Sequence, residues 1–511
     1  MGMPLSALNY TKMKKILLCL FVCSNALLVA QDKRDYQWIF GKTSPTPDID
    51  GTLLNFNTSP VSVTTMLKHT DIDVTNTSMC SKSGELLFYS TGCQIFNAQH
   101  QLLANGDSIA SGYVLNDFCN DDSPLPQGAL ILPLPGSDSI YYHFNLDLES
   151  AYTSQQGFPL APLHLFYSIV SYREGAGNGA VTIKKSVAVA DTLTRGGIQA
   201  VKHGNGRDWW VIVPKSQSNC YHRLLLSPSG LSDAGIQCLG WEWSDADAQG
   251  QCTFSPDGKK YLRIASQDGL LIYDFDRCSG SLSAPVEVLF PDEEFYFAGV
   301  AVSPNNRFVY ATTRNRAYQF DLFASNVQDS RVLIAEKDSF MDPFQNRFFL
   351  AQLAPDGKIY IGGSGTYNYL HIIHSPDSLG AACEMQKHAV PLISWSYSGM
   401  PTFPNFRLYD WSGSVCDTIG ISTSLEIGKQ AINFSVYPNP AKDQININLQ
   451  SGDTAEKFTF ELFDSYGRSC LQLHLSGGYS VINIENIENG TYFYVLSGAR
   501  SASNGKIVKI E

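Results

Sequence analysis

Three times in the middle of the chain an apolar run meets a proline-centred turn and doubles back. The turns are Ser255-Pro256-Asp257-Gly258, Ser303-Pro304-Asn305-Asn306 and Ala354-Pro355-Asp356-Gly357. Proline presets φ, Asp or Asn bonds its own backbone, and Gly accepts a positive φ without penalty. Around the first turn, residues 252–254, 261–265, 270–275 and 286–290 read as four short strands. Four antiparallel strands in about 40 residues make one propeller blade. The prolines stand about 50 residues apart, a period that marks a repeat architecture.

Earlier copies of the unit are more divergent. Residues 85–89 and 93–96 form one. Residues 129–132 and 140–144 flank Gly136-Ser137-Asp138, and residues 198–201 and 209–213 flank the turn at 204–208. That makes six units. A seventh is expected to be shared between the ends, with 37–40 and 53–56 from the start and 405–409 from the finish. Such closure removes free strand edges. The expected fold is therefore all-β: a β-propeller over residues 31–411, seven-bladed rather than six or eight, followed by a small C-terminal β-sandwich. Composition agrees, since 12% aromatic and only 16% charged residues suit short strands better than long helices. A net charge of −12 argues against nucleic acid, whose phosphates need a basic face.

The chain opens with a basic stretch (Lys12, Lys14, Lys15), an apolar run at 16–23 and small residues up to Ala30. This reads as a signal peptide over residues 1–30, with Met13 as a second candidate start. The apolar run is shorter than the ~20 residues a bilayer span needs. No later segment is apolar enough to cross a membrane, so no transmembrane segment is expected in the mature chain. Export allows disulfides. Candidate pairs are Cys80–Cys93, Cys220–Cys238, Cys252–Cys278 and Cys383–Cys416, with connectivity left open because sequence cannot fix it. Cys470 stands apart, so at least one thiol is expected to be free.

Residues 412–433 read as a linker. Short strands then recur at 434–441, where two prolines break the strand, and at 444–449, 458–463, 480–484, 491–496 and 505–510, a β-sandwich over 434–511. This domain resembles the type A sorting domains of the Bacteroidetes type IX secretion system. The resemblance rests on Val436-Tyr437-Pro438-Asn439-Pro440, on Glu461-Leu462-Phe463-Asp464-Ser465-Tyr466-Gly467, on Asn489-Gly490-Thr491-Tyr492 and on Lys506-Ile507-Val508-Lys509. It implies that Tyr437, Pro438, Asn439, Pro440, Gly467, Gly490, Tyr492, Lys506 and Lys509 form the sorting motif. It also implies the type IX machinery as a partner, and release or attachment at the outer cell surface after passage through the periplasm. The body resembles secreted Bacteroidetes propellers through residues 84–89, 201–210, 255–258, 353–360, 379–383 and 401–406. That likeness implies a fold and no catalytic residues.

Candidate chemistry is sparse. His371 and His374 are expected on a strand, where i and i+3 point to opposite faces, so they do not make a metal pair. His203 precedes a glycine-rich turn and reads as a hydrogen-bonded structural histidine. Asp121 and Asp122 lie in an acidic loop without calcium-loop spacing and read as solvated. Asp274, Asp276 and Asp321 end strands and read as turn caps. The glycines at 175–179 read as a hairpin tip. No metal site, catalytic set or cofactor is expected. Trp209, Trp210, Trp241, Trp243, Trp395 and Tyr397 either fill gaps between blades or, where exposed, stack on sugars. Two functions follow as expectations. One is a secreted or cell-surface propeller that binds a glycan or protein, in an adhesion or structural role. The alternative is a secreted hydrolase or lyase with its site in the central funnel.

Overall fold

The structure is a computed structural model of the whole chain. It describes residues 32–41, 51–66, 71–119, 122–150, 160–173, 179–244, 250–265, 268–290, 297–342, 344–416, 434–449, 457–464, 469–476, 478–497 and 502–510. The reading at 1–30, residues 175–178 of the expected hairpin tip, residues 417–433 of the expected 412–433 linker, Asp121 and Gly467 lie outside the described residues. The chain divides into two compact units, 1–417 and 418–511.

The first unit is a β-propeller: besides a two-stranded ribbon, Glu149–Ser150 with Leu160–Ala161, its described residues form seven antiparallel sheets of three or four strands. Their first strands are Gln37–Phe40, Thr77–Cys80, Ala129–Pro133, Gln199–Lys202, Gln251–Phe254, Gly299–Val302 and Ala351–Leu353. The first two sheets have three strands and the other five have four. First strands of most neighbouring sheets stand side by side, and the long last strand of the seventh sheet, Met385–Tyr397, packs on all three strands of the first. There Ser394 donates its N–H to Thr52 Oγ1 at 2.9 Å, joining residues far apart in the chain.

The repeated turn explains why the units look alike. Asp257 Oδ1 accepts from Lys259 N at 3.1 Å, Asn305 Oδ1 from Arg307 N at 3.0 Å, and Asp356 Oδ1 from Lys358 N at 3.2 Å. Each turn needs one positive φ, taken by Gly258 (71°), Asn306 (61°) and Gly357 (78°).

Closure differs from the expectation. The first sheet is complete in itself, with Gln37–Phe40, Gly51–Asn55 and Ser62–Met66. Residues 405–409 add no strand to it. After the seventh sheet, residues 400–416 instead run as a strap over the ends of the inner strands. Thr402 N–H donates to Asn76 O at 2.9 Å, Asn405 Nδ2 to Pro256 O at 2.8 Å, and Trp411 N–H to Gly204 O at 2.7 Å. The Cys278–Cys416 disulfide fixes its end.

Of the expected disulfides, Cys220–Cys238 forms, because the two residues face each other across one hairpin. The other pairings are corrected. Cys93 joins Cys119, and Cys278 joins Cys416, while Cys80, Cys252 and Cys383 are buried and in no disulfide. Cys470 is exposed and in no disulfide, as expected.

The second unit is a β-sandwich of a three-stranded and a four-stranded sheet. Ile445, Ile447, Phe460, Leu462 and Ile482 are buried in its core. Asn439 ties the proline-rich entry to the last strand: its Nδ2 donates to Lys506 O at 2.9 Å and its Oδ1 accepts from Val508 N at 2.9 Å. Gly490 pairs with Lys509 and Tyr492 with Ile507 in one ladder, so residues from three parts of the sequence motif meet at one end of the sandwich.

Candidate functional site

The axis of the propeller is crossed by buried amides that the sequence did not single out. Gln127 donates Nε2 to Cys252 O at 2.9 Å and accepts from Cys252 N at 2.8 Å, spanning from the third sheet to the fifth. Gln251 donates Nε2 to Ala351 O at 2.7 Å, and its Oε1 accepts from Val300 N and Ala351 N, both at 2.9 Å. One side chain thus serves the fifth, sixth and seventh sheets. Buried main-chain groups must be paired, and the tapering inner strands leave these three without ladder partners.

Between the inner strand ends and the strap lies a cavity of about 240 Å³. Its acidic residue is Asp35, which is 4% exposed and clasped by Arg407, Nη1 to Oδ1 at 2.5 Å and Nη2 to Oδ2 at 2.8 Å. Burial works against the Arg407 charge, but Asp35 more than restores it and holds the guanidinium above its ordinary range. Other polar lining groups are committed to nearby main chain. Gln352 Nε2 donates to Leu353 O at 3.2 Å, Gln199 Oε1 accepts from Ala200 N at 2.9 Å, and Asn405 Oδ1 accepts from Arg407 N at 3.0 Å. Prolines 256, 304, 355 and 404 and small residues make most of the rest. The cavity can hold a small molecule or chain segment by shape. Among the described residues that line it, no acid, base or nucleophile is left uncommitted.

The residues marked from sequence are scattered around the ring. His203 accepts from Asn205 N at 3.0 Å on Nδ1, and its Nε2 sits 3.0 Å from Cys278 O. Burial lowers its pKa, and it is structural. His371 is buried on the strand Thr366–Ile373 and pushed down to about 3 by burial and then by His388. His374 lies one residue past that strand, bonded to Gln386 at 2.9 Å, so the expected placement of both on the strand is corrected. Asp122 is not solvated: it is buried, accepts from Asp73 N (2.9 Å) and Val74 N (2.7 Å), and is raised well above the usual carboxyl range by burial and then by Asp73. Asp276 and Asp321 cap turns, accepting from Cys278 N and Phe323 N, whereas Asp274 pairs with Lys260 at 2.5 Å. Among the described residues no group of three or more His, Cys, Asp or Glu could hold a metal ion.

The aromatics divide as burial dictates. Trp209, Trp210 and Trp243 are buried. Trp241 and Trp243 contact edge to face at 5.5 Å, but they follow the strand Gly230–Cys238 instead of lying on one. Trp395 and Tyr397 do alternate on a strand. Tyr397 is 41% exposed, and Trp395 is half-buried beneath Phe344.

Comparison with known proteins adds one assignment. Residues 435–511 match the family model of a secretion system C-terminal sorting domain, which indicates secretion to the cell surface. No curated protein matches the chain. Among solved structures, a Lactobacillus plantarum protein is similar at 11% identity and TM-score 0.40, over 72% of this chain and 98% of that one. The periplasmic gluconolactonase of Pseudomonas aeruginosa is similar at 12% and 0.34, over 88% and 99%. The β-propeller domain of Myceliophteria thermophila Cps50 is similar at 11% and 0.36, over 65% and 91%. Likenesses this distant carry no argument about activity. Among the described residues no helix is long and apolar enough to cross a membrane.

Proposed function

We propose that the chain is a binding propeller exported through a type IX system of the Bacteroidetes kind and displayed at or released from the outer cell surface. Its C-terminal unit is the address, and its propeller presents the ligand surface. The observation that carries the reading is the committed state of the axis. The carboxylate in the axial cavity is locked to Arg407, and the amides around it are bonded to main chain. A funnel hydrolase or lyase needs acid and base groups free to move protons. The ligand is a glycan or a protein.

The test is an array of glycans and surface proteins probed with the purified mature chain. Saturable binding to a member supports the reading, and its absence throughout contradicts it. Delivery is tested separately. Deleting 434–511 leaves the propeller in the periplasm by this account, whereas normal surface delivery of the truncated chain refutes the role of the address.

A further inference from the structure

The connection between the sixth and seventh sheets, with Arg314 from a turn of the sixth, carries positive charge that has no carboxylate partner among the described residues, near partly exposed aromatic side chains. On the strand Met385–Tyr397, residues 393, 395 and 397 share a face, with Ile393 48% and Tyr397 41% exposed. Phe344, 44% exposed, stands edge-on to Trp395 with ring centroids 5.7 Å apart and planes at 82°. Two rings at a right angle, Phe344 exposed and Trp395 half-buried, make a ledge rather than a filled core.

The connection is held firmly. The Phe340 ring lies 4.2 Å from His388. Asp338 accepts from Lys387 at 2.8 Å and from His388 at 3.2 Å. Tyr369 donates its hydroxyl to Asp342 at 3.0 Å, and Asn346 Nδ2 donates to Tyr369 O at 2.7 Å. The nearby carboxylates are thus already engaged, and the ledge is set before any ligand arrives.

Arg347 follows Phe344 by three residues, so their Cα atoms lie within about 10 Å of each other. Arg314 lies beside it, because Phe348 donates its N–H to Arg314 O at 3.2 Å. Neither guanidinium is paired with a carboxylate among the described residues. Arg347 Nε donates to Gln345 at 3.1 Å, and Arg314 Nε is buried with no partner. Burial, and then the charge on Arg314, holds Arg347 below its ordinary range. Two neighbouring cations without a counter-ion among the described residues are an arrangement that an anion would relieve.

We propose that this ledge binds a saccharide bearing an anionic group, carboxylate or sulfate. A sugar ring stacks on Trp395 and Phe344, and its anion is held by Arg314 and Arg347. The inference deepens the binding function and rests on it.

The test is affinity electrophoresis of the full mature chain at low salt in gels containing polygalacturonate, dextran sulfate or neutral dextran. The acidic protein is repelled by polyanions in bulk, so retardation reports a local site. The expected result is retardation by one or both anionic polymers and none by dextran. The preference between the two distinguishes carboxylate from sulfate. The double variant Arg314→Gln/Arg347→Gln is expected to lose at least tenfold in affinity, and Trp395→Ala about the same, with thermal melting confirming the fold. Absence of retardation by both polyanions overturns the proposal, as does retardation that the arginine variant leaves unchanged. Either failure, alongside binding elsewhere on the glycan and protein array, leaves the broader function standing. Failure on that array as well overturns both.

Discussion

Replacing Gln251 by leucine preserves volume and removes the amide that serves three sheets. Val300 N–H, Ala351 N–H and Ala351 O then lose their partner at a buried position. A buried polar group left unpaired costs about 1–3 kcal/mol, so the three together cost about 3–6 kcal/mol after local relaxation. The buried leucine offsets about 1–2 kcal/mol through its apolar surface. The net loss is about 2–4 kcal/mol. For roughly 380 residues the unfolding entropy near the midpoint is about 0.8 kcal/mol per kelvin, so Tm falls by about 3–5 °C. Differential scanning calorimetry of the mature chain reads this directly. Gln352→Leu is the control, since that amide donates only to the adjacent Leu353 carbonyl, and it is expected to shift Tm by less than about 1 °C. Equal shifts in the two variants would refute the argument that the axis depends on the Gln251 amide.

Three further outcomes are expected. Arg407→Met strands the buried Asp35 carboxylate and costs about 3–5 kcal/mol in urea unfolding, while adding Asp35→Asn recovers part of it. Cys278→Ser with Cys416→Ser frees the end of the strap, so limited proteolysis cuts within 403–416 much faster, and stability falls by up to about 4–5 kcal/mol in the chain-entropy model. His143 is wholly buried and pushed down to about 3 by desolvation, as is His371. Between the ordinary histidine range and pH 3 the unfolded chain therefore holds protons that the folded chain lacks, so stability falls as pH drops through that window. Each histidine contributes up to about 1.4 kcal/mol per pH unit, and His143→Phe removes one such share from the slope of stability against pH.

What could be read from the sequence is what is local. The Pro-Asp-Gly and Pro-Asn-Asn turns bond their own backbone, so the fifth to seventh sheets were legible from a few residues each. Cys220–Cys238 was legible because its partners oppose each other on one hairpin. Cys278–Cys416 was not, since it depends on the strap crossing the ring, a path that nothing near Cys416 encodes. The third strand of the first sheet, Ser62–Met66, lacks a strong apolar pattern, and without it the sheet looked incomplete enough to borrow from 405–409. Gln127 and Gln251 are ordinary polar residues in the sequence. They acquire a role only when the ring brings distant inner strands within reach. Asp122 was misread for the same reason: the backbone donors at Asp73 and Val74 come from a segment well before it in the chain. The ledge was half visible, because Trp395 and Tyr397 alternate along one strand. Arg314 and Arg347 became meaningful only through the Phe348-to-Arg314 bond, which brings their two segments together.

The central claim is that the propeller holds ligands without transforming them. Incubating the mature chain with the polysaccharides it retains, and following both bound fraction and new reducing ends or unsaturated sugar over a day, tests this directly. The account predicts stable, saturable binding with polymer length unchanged. Steady release of shortened products, abolished by substituting residues of the axial cavity, would contradict it.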